Sequence, residues 1–476
     1  MVKQMNSKTS LWVLSVLLMC ATATVCHAAE PDQQTARPNI LFILVDDLGY
    51  GDVGYLGSEI QTPNIDALAA RGVVLDHGYV FPICSPTRAA LMTGQNPLRF
   101  GIDGPMENDA MLPQELTLLP EFLRRGGYKT WMVGKWHLGM SRQAAMPQAR
   151  GFDHFYGSLG GFIDYYTHVY FGGLDWQRNG TSLREEGYAT DLQTRDALRL
   201  LTEYDGSKPF FLYLSYNSPH TPLQYPPSSE VDYSDIASAD RRVFAQMTTD
   251  VDAAIGEVLA LLEQRGLLAN TLVIFSSDNG GNLEAGASNG SLRGGKGSAY
   301  EGGVRVPVVV AWPDGLPGGR SFSQPVFVQD WLPTLLQAST IDFDEEAFDG
   351  VGVWGALAAD SVMTSVRPVV VGTQRSKAVF DWPWKLVRTL NSGDNPPSDE
   401  LFNLATDPVE AVDLAADHPA LVAKLGANLG GYSVAASKAA KGPSPESQFR
   451  NASGAFDYDI RKPETRSPWA EAAASN

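Results

Sequence analysis

Two pairs of oxygen-bearing side chains each come directly after an apolar run that has the character of a buried strand. Asp46-Asp47 form the first pair and Asp278-Asn279 the second. Three carboxylates and an amide oxygen, with no soft sulfur ligand, suit a hard cation, so Ca²⁺ is expected first and Mg²⁺ second. No spacing of cysteine and histidine supports zinc. Each pair alone is also typical of an ordinary turn, but two pairs at strand ends favour a metal site.

Two further apolar runs lead into segments that carry basic side chains. Residues 130–133 precede Lys135 and His137, and residues 210–216 precede His220. In open α/β sheets, ligands bind beyond the carboxyl ends of the strands, so parallel neighbouring strands would bring these side chains and the acidic pairs together. Lys135 and His137 are two apart, so in an extended segment they would point to the same side. The alternatives are a solvated charge for Lys135 and a capped loop for His220.

Cys84 is either an inert core thiol or a residue with a chemical task. A lone cysteine is usually a core residue, and composition alone favours that role. The ten residues from Cys84 have the pattern of a short helix that Ser85 or Thr87 could cap and Gly94 could end. Cys84 would then lie at the amino terminus of a helix, where an anion or thiolate is stabilised. Arg88, one helical turn later, could reach the same anion.

Residues 290–296 fit the first part of a phosphate-binding loop that ends on Lys296. The next residue, however, is Gly297 rather than serine or threonine, and no strand-like run leads directly into Gly290. The nucleotide-binding interpretation therefore fails its structural context, and Lys296 needs another explanation.

The first 28 residues have the layout of a secretory signal peptide. Lys3 and Lys8 precede an apolar run over residues 11–25, and Ala28 ends an acceptable cleavage pattern. A transmembrane anchor is the alternative, but the run is short for a bilayer span. We therefore expect a secreted or periplasmic protein without a stable membrane anchor. Removing residues 1–28 would leave Cys84 as the one cysteine, which excludes an internal disulfide.

The chain is acidic, with a formal net charge of −18 at pH 7. This charge disfavours binding to nucleic acid, and no nucleic-acid partner is expected. If the substrate is anionic, local cations or a metal must attract it, because the surface as a whole repels it.

The elements that would position these residues alternate between strands and helices over residues 37–345. This alternation predicts an α/β domain with a mostly parallel sheet covered by helices. Residues 346–440 are expected to form a smaller α+β subdomain, and residues 441–476 an irregular tail. The predicted strands span residues 39–45, 130–133, 210–216, 271–277, 304–312, 366–372, 378–380 and 385–388. The predicted helices span residues 64–71, with Thr62 as cap, 242–265 and 417–429.

Residues 84–88 (CSPTR), followed by 91–94 (LMTG), resemble the signature of the formylglycine-dependent type I sulfatase family. The other segments that resemble motifs of this family follow in order at 134–139, 218–222, 277–281, 292–296, 301–305 and 401–408. The likeness covers nearly the whole chain after residue 28. It is greatest to the branch of arylsulfatase B and N-acetylgalactosamine-4-sulfatase, which includes bacterial polysaccharide sulfatases. The resemblance implies an alkaline-phosphatase-like fold with a catalytic domain at residues 37–345.

The same resemblance implies a role for each candidate residue. Cys84 would be oxidised to formylglycine (3-oxoalanine) by a formylglycine-generating maturation enzyme, and the hydrated aldehyde would attack sulfur. Arg88 and Lys135 would orient formylglycine, and His137 would assist elimination of the bound sulfate. Lys296 and His220 would bind the sulfate, and one of the two would protonate the leaving alcohol. The ligands implied for Ca²⁺ are Asp46, Asp47, Asp278, Asn279 and an oxygen of formylglycine at position 84.

The substrate is expected to be a sulfated carbohydrate. Residues 164–168 and 222–225 resemble segments that flank the pocket in the galactosamine-4-sulfatase branch, which favours a galacto-configured sugar, such as a carrageenan-type galactan or a galactosaminoglycan. Gly297 departs from that branch, where a bulky residue often follows the lysine, and both exo and endo action remain open. Two other classes also remain open. One is a phosphodiesterase or phosphonate monoester hydrolase, and the other is a non-catalytic glycan-binding protein in which Cys84 stays a thiol.

Overall fold

A computed structural model describes residues 37–106, 110–229, 231–363, 367–390 and 397–430, together with the backbone of 449–450 and 456–458. The predicted signal peptide (1–28) and most of the predicted tail (441–476) lie outside these residues. No helix in the described part of the chain is both long and apolar enough to cross a membrane.

The described strands are β1 (Asn39–Val45), β2 (Val73–Leu75), β3 (Gly78–Tyr79), β4 (Lys129–Gly134), β5 (His154–Gly157), β6 (Val169–Tyr170), β7 (Gly173–Leu174), β8 (Gln177–Arg178), β9 (Thr181–Ser182), β10 (Phe210–Ser215), β11 (Thr271–Ser277), β12 (Val308–Ala311), β13 (Arg320–Phe322), β14 (Val326–Phe327), β15 (Val369–Gly372), β16 (Ser376–Asp381), β17 (Trp384–Thr389), β18 (Ser398–Asn403), β19 (Phe449–Arg450) and β20 (Phe456–Tyr458). The α-helices are α1 (Pro63–Arg71), α2 (Cys84–Thr93), α3 (Leu119–Arg125), α4 (Ala189–Glu203), α5 (Ala239–Gln264), α6 (Glu301–Val304), α7 (Trp331–Ala338), α8 (Trp354–Ala359) and α9 (Pro419–Gly430).

The large sheet has the strand order β13-β2-β12-β11-β1-β10-β4-β5-β8-β9-β19-β20. Its centre, β11-β1-β10-β4, consists of parallel neighbours, as predicted. These strands are almost continuously apolar and buried, which is typical of parallel strands covered on both faces. Val45 pairs with Ser277, and Ser215 pairs with Gly134, so the four strands end at one edge of the sheet.

The helices pack in two groups, α1 with α4 and α5, and α2 with α3 and α7. The predicted helices near residues 64–71 and 242–265 are confirmed. Thr62 is the N-cap residue of α1, as predicted, but its hydroxyl makes no capping bond, because it donates to Asp66 Oδ1 (2.9 Å) and accepts from the Gly54 N–H (2.8 Å) instead of a helix N–H.

The strand predicted over residues 304–312 is only partly correct. Val304 ends helix α6, and β12 covers only Val308–Ala311. Pro307 supplies no N–H for a sheet hydrogen bond, so it favours a break before β12. This strand pairs antiparallel to β11, so the sheet is mixed at this side.

The segment predicted as a smaller subdomain contains an antiparallel sheet of four strands in the order β15-β16-β17-β18, with α9 packed on β16. Three of these strands and α9 match the predicted elements. Strand β18 was not predicted, because the charged pair Asp399-Glu400 interrupts its apolar character.

Candidate functional site

The two acidic pairs extend from neighbouring strand ends and lie against each other. Asp47 adopts a left-handed conformation (φ 66°), which turns the chain as it leaves β1. Its backbone N–H donates to Asp278 Oδ1 (3.3 Å), and Asn279 Nδ2 donates to Asp47 Oδ1 (2.7 Å). All four side chains are buried. The predicted convergence of these pairs is therefore present in the fold.

Cys84 is the first residue of α2 and is buried, as the sequence indicated. The predicted caps are wrong, because Ser85 Oγ donates to the His137 carbonyl (3.0 Å) and Thr87 Oγ1 accepts from the Phe81 N–H (2.9 Å). Gly94 ends the helix in the left-handed conformation (φ 64°), as predicted. Burial raises the pKa of the Cys84 thiol, and the nearby Lys135 and Lys296 oppose this effect.

Arg88 holds the strand ends together from one turn further along α2. Its guanidinium donates to Asp278 Oδ2 from Nη2 (2.8 Å) and Nε (3.1 Å). Its Nη1 donates to the Lys135 carbonyl (2.9 Å) and to Ser215 Oγ (2.5 Å). Ser215 was not predicted as a site residue, although it is the one polar residue in the otherwise apolar or aromatic strand β10.

Lys135 Nζ donates to Asp46 Oδ2 at 2.5 Å, and both side chains are fully buried. The backbone before Lys135 requires glycine. Gly134 has a φ of 111°, and an added Cβ would overlap the Ser215 carbonyl oxygen. Burial and the nearby Asp278 raise the pKa of Asp46, and Lys135 offsets only part of this effect. The remaining oxygen, Asp46 Oδ1, is buried without a hydrogen-bond partner among the described residues.

His137 contacts the cysteine directly, with Nδ1 3.2 Å from Cys84 Sγ. It also has a left-handed φ of 56°, so Lys135 and His137 reach the site through a bend and not, as predicted, by alternation in an extended segment. Gly161 packs against the imidazole, since a Cβ there would lie 2.8 Å from Nε2. Burial, with Lys135 and Arg88, lowers the pKa of His137 well below its usual value.

Lys296 and His220 lie at the opening of the site. Their side chains are 22% and 13% exposed, and both approach the same carboxylate, with Lys296 Nζ 2.7 Å and His220 Nε2 3.6 Å from Asp47. Burial alone would raise the pKa of Asp47, but Lys296 and His220 outweigh it and hold the pKa below its usual range. The ring of Phe162 stacks nearly parallel to His220, at a centroid distance of 6.2 Å.

Burial also controls the protonation of His220. It lowers the pKa of this imidazole to about 4, with Lys296 acting in the same direction and Asp47 against it. His220 Nδ1 lies 2.6 Å from the Thr221 carbonyl oxygen, an acceptor that fixes the ring orientation when Nδ1 carries the proton.

The residues present fit a divalent cation. Asp46, Asp47 and His220 each offer a ligand atom, and these atoms lie within 4.8 Å of one another. Asn279 Oδ1 is buried and, like Asp46 Oδ1, lacks a hydrogen-bond partner in the described part of the chain. Oxygen donors of this kind are the preferred ligands of hard cations. His220 was predicted to bind sulfate and, as an alternative to Lys296, to protonate the leaving alcohol, so its place beside the acidic pair is an addition from the structure.

The structure thus gathers every predicted site residue into one cluster, which we call the strand-end centre. Its members are Asp46, Asp47, Cys84, Arg88, Lys135, His137, His220, Asp278, Asn279 and Lys296. Each of them contacts at least one other member through its side chain or backbone. Ser215 and Phe162 support the centre from outside the predicted set.

Comparison with known proteins identifies the class of this fold and site. The family model described as Sulfatase matches residues 38–341. Arylsulfatase J of Mus musculus is 35% identical over 447 residues, covering 82% of this chain and 75% of that protein. N-acetylgalactosamine-6-sulfatase of Sus scrofa is 32% identical, covering 73% of this chain and 70% of that protein. The crystal structure of Ps i-CgsB in complex with k-i-k-neocarrahexaose has a TM-score of 0.77 and 34% identity, covering 83% and 92% of the two chains.

The chain belongs to the sulfatase family. Its fold is the alkaline-phosphatase-like α/β architecture, with a large, mostly parallel sheet and a smaller antiparallel sheet near the carboxyl end. It is therefore a sulfuric ester hydrolase, and the family predicted from the sequence motifs is confirmed.

Proposed function

We propose that the strand-end centre hydrolyses a sulfate monoester on a sulfated carbohydrate, with a nucleophile made from Cys84 and with Ca²⁺ as cofactor. The observation that carries the proposal is the difference in burial between two pairs of side chains in the site. Cys84 and His137 are buried at its base, whereas Lys296 and His220 are partly exposed at its opening and share Asp47. A sulfate group entering between the two exposed side chains would meet the Lys296 ammonium and the His220 imidazole first and the nucleophile below them.

Calcium is the proposed ion because every ligand predicted for it is an oxygen donor. Asp46, Asp47, Asp278 and Asn279 would hold it, together with an oxygen at position 84. The partnerless oxygens of Asp46 and Asn279 support this assignment. When bound, Ca²⁺ supplies Lewis acidity towards a sulfate oxygen.

Formylglycine at position 84 is the proposed source of the nucleophile. In the maturation enzyme, an external oxidant would accept two electrons, with the protons of one Cβ–H bond and the S–H bond, water would provide the aldehyde oxygen, and the Cβ–S bond would break as hydrogen sulfide leaves. The hydrated aldehyde provides an oxygen nucleophile with a second hydroxyl, from which the aldehyde can be regenerated. A thiol at this position has no second hydroxyl.

The chain's own residues would bind and orient the reacting groups. Arg88 and Lys135, fixed by Asp278 and Asp46, would hold the position-84 side chain. His137, 3.2 Å from the Sγ that the nucleophile replaces, would move a proton at that atom. Lys296 and His220 would bind the oxygens of the sulfate, and one of the two would protonate the leaving alcohol.

A galacto-configured, sulfated glycan is the proposed substrate. Ps i-CgsB, which is similar over most of this chain, forms a complex with a neocarrahexaose, and another similar protein is an N-acetylgalactosamine-6-sulfatase. Both names refer to sulfated sugars of galacto configuration. We further propose that residues 1–28 direct export, so that the enzyme meets its substrate in the periplasm or outside the cell.

A comparison of ester classes tests the proposed function. Protein from a host that contains the maturation enzyme should hydrolyse para-nitrophenyl sulfate with a higher kcat/KM than the matched phosphate monoester and phosphodiester, and chelation of Ca²⁺ should abolish the activity. Preference for a phosphate ester would favour a phosphodiesterase or phosphonate monoester hydrolase. Absence of all hydrolysis by protein with modified Cys84 would favour a non-catalytic, glycan-binding role.

A further inference from the structure

A cavity of about 990 Å³ adjoins the strand-end centre on the side of Lys296. Ile83, which precedes Cys84, lines this cavity together with Lys296 and the turn at 373–376. Pockets that bury a drug-sized ligand have volumes of about 300–1,000 Å³, so the cavity lies at the upper end of that range. It has room for more of the substrate than a single sulfate group.

The turn at 373–376 is held rigidly against the loop that carries Lys296. Thr373 Oγ1 accepts from the backbone N–H groups of Arg375 (3.1 Å) and Ser376 (3.2 Å). The Leu390 N–H donates to the Arg375 carbonyl at 2.8 Å. Ser376 Oγ accepts from the N–H of Ala299, three residues after Lys296, at 3.2 Å. The backbone of Arg375 is therefore fixed in relation to the proposed sulfate-binding lysine.

The guanidinium of Arg375, in contrast, is exposed and makes no ion pair or hydrogen bond with a described residue. Asp103 is the acid among the cavity-lining residues, and its Oδ1 accepts from Gln374 Nε2 at 3.1 Å. In a protein with a net charge of −18, an unpaired cation beside the site is available for an anionic ligand. Arginine is well suited to this role, because its planar fork can donate two parallel hydrogen bonds to a sulfate or carboxylate.

We infer that Arg375 is a specificity-determining residue that binds a second anionic group of the glycan, carried by a sugar next to the one that loses its sulfate. This inference rests on the proposed function of the strand-end centre. The second group is a sulfate half-ester or a carboxylate, which share the oxygen geometry that a guanidinium recognises. The substrate class is accordingly an oligosaccharide or polymer with anionic groups on adjacent sugars.

Competitive inhibition of para-nitrophenyl sulfate hydrolysis tests this inference. The inhibitors are galactan oligosaccharides of equal length with one or two sulfates per disaccharide, and a monosulfated chondroitin oligosaccharide whose uronate supplies the carboxylate. The variants are Arg375→Ala, Arg375→Lys and, as the matched control, Arg195→Ala on an exposed site of α4. Melting temperatures establish that each variant folds.

The doubly charged inhibitor that carries the recognised group should bind wild-type protein about tenfold more tightly than the singly sulfated galactan, because a hydrogen bond to a charged group contributes enough for that factor. Arg375→Ala should remove this preference, Arg375→Lys should retain part of it, and Arg195→Ala should retain all of it. Hydrolysis of para-nitrophenyl sulfate should be unchanged in all three variants. If Arg375→Ala weakens binding of the disulfated galactan alone, the recognised group is a sulfate. If it weakens binding of the chondroitin oligosaccharide alone, the recognised group is a carboxylate.

The inference is overturned if Arg375→Ala leaves every inhibition constant unchanged, if it weakens singly and doubly charged inhibitors equally, or if no oligosaccharide inhibits the wild-type protein. The proposed function has a separate outcome in the same experiment. Failure of wild-type protein to hydrolyse para-nitrophenyl sulfate would contradict the sulfatase mechanism, whatever the inhibitors do.

Discussion

The strand-end centre and a second group of buried charges differ in how completely their acceptors are used. In the second group, the Lys385 cluster, Lys385 Nζ lies 2.9 Å from Glu301 Oε1 and 2.8 Å from Glu410 Oε1, and all three side chains are fully buried. The other two carboxylate oxygens accept from the Tyr79 hydroxyl (3.0 Å) and from the Glu301 N–H (2.6 Å). Three of the four carboxylate oxygens of this cluster therefore accept hydrogen bonds, and the fourth, Glu410 Oε1, has the Lys385 ammonium beside it as an ion pair only.

The strand-end centre has the same kind of buried lysine–carboxylate pair, Lys135 and Asp46. It differs in that two of its oxygens have neither a hydrogen bond nor an ion pair among the described residues. Asp46 Oδ1 and Asn279 Oδ1 are both buried without a partner among the described residues. A buried acceptor without a partner costs about 1–3 kcal/mol, and a cation bound between these two oxygens would remove that cost. Buried charge therefore joins helix α6 to strand β17 in the Lys385 cluster, whereas the strand-end centre has free acceptors that fit a cation.

The largest expected effect comes from removing the proposed nucleophile. Cys84→Ala should lower kcat for an aryl sulfate by about 10⁴-fold or more, because loss of a nucleophile leaves only binding and electrostatic stabilisation. Its melting temperature should change little, since truncation of one small buried side chain costs about 1 kcal/mol. Retention of activity within tenfold of wild type would show that the chemistry uses another residue.

The next effect separates the two clusters by stability. Lys385→Met should reduce the free energy of unfolding by about 3–5 kcal/mol, because it leaves Glu410 buried without a cation and Glu301 with only Arg305 Nη1, 3.7 Å away. Urea denaturation measures this loss, and KM for aryl sulfate at low temperature should remain at the wild-type value. Addition of Glu410→Gln should restore part of the stability. A loss below about 1 kcal/mol would mean that the Lys385 cluster contributes no more to the free energy of unfolding than an exposed ion pair does.

Calcium should stabilise the protein through the strand-end centre and not through the Lys385 cluster. At a concentration one hundred times its Kd, Ca²⁺ should add about 2.7 kcal/mol to the free energy of unfolding. Asp46→Asn should abolish this increment. Lys385→Met should be less stable than wild type without Ca²⁺ but should show the same increment when Ca²⁺ is added. Calorimetry with and without Ca²⁺ measures the increment in each variant. An equal increment in wild type and Asp46→Asn would place the ion elsewhere.

The smallest effect concerns His77 at the margin of the Lys385 cluster. Burial, assisted by Arg305, lowers the pKa of His77 from 6.5 to about 4. The unfolded chain therefore binds a proton that the folded chain rejects, so His77 subtracts stability as pH falls from 6.5 towards 4 and subtracts none above 6.5. Between pH 7 and pH 4.5, wild type should lose about 1–2 kcal/mol relative to His77→Gln, a range reduced for partial exposure.

Urea denaturation of both proteins at the two pH values measures this difference. A difference that does not change with pH would place His77 in a solvated environment. A larger loss in His77→Gln than in wild type would reverse the sign and contradict the burial that the structure assigns to this ring.

The parallel centre of the sheet could be predicted because each of its strands is an apolar run with polar residues directly after it. That pattern also located the members of the strand-end centre before any contact was known. The strand pattern did not predict a role for Cys84. Composition favoured an inert thiol, and only the ordered motifs indicated a chemical task.

The remaining features depend on contacts between distant segments, which local patterns do not encode. Ser85 and Thr87 have the composition of caps, but their hydroxyls bond to other parts of the chain. Ser215 looks like a strand residue until the guanidinium of Arg88 is placed against it. Arg375 lies 79 positions after Lys296 in the sequence, and only the fold shows that both line one cavity.

Mass spectrometry of the peptide that contains Cys84 tests the central claim most directly. The protein should be produced in a host with the maturation enzyme and assayed on an aryl sulfate in the same preparation. We expect the mass of the aldehyde at position 84, in a fraction of molecules that rises in proportion to kcat across preparations. An intact thiol that iodoacetamide alkylates, in a protein that hydrolyses the ester at full rate, would contradict the account.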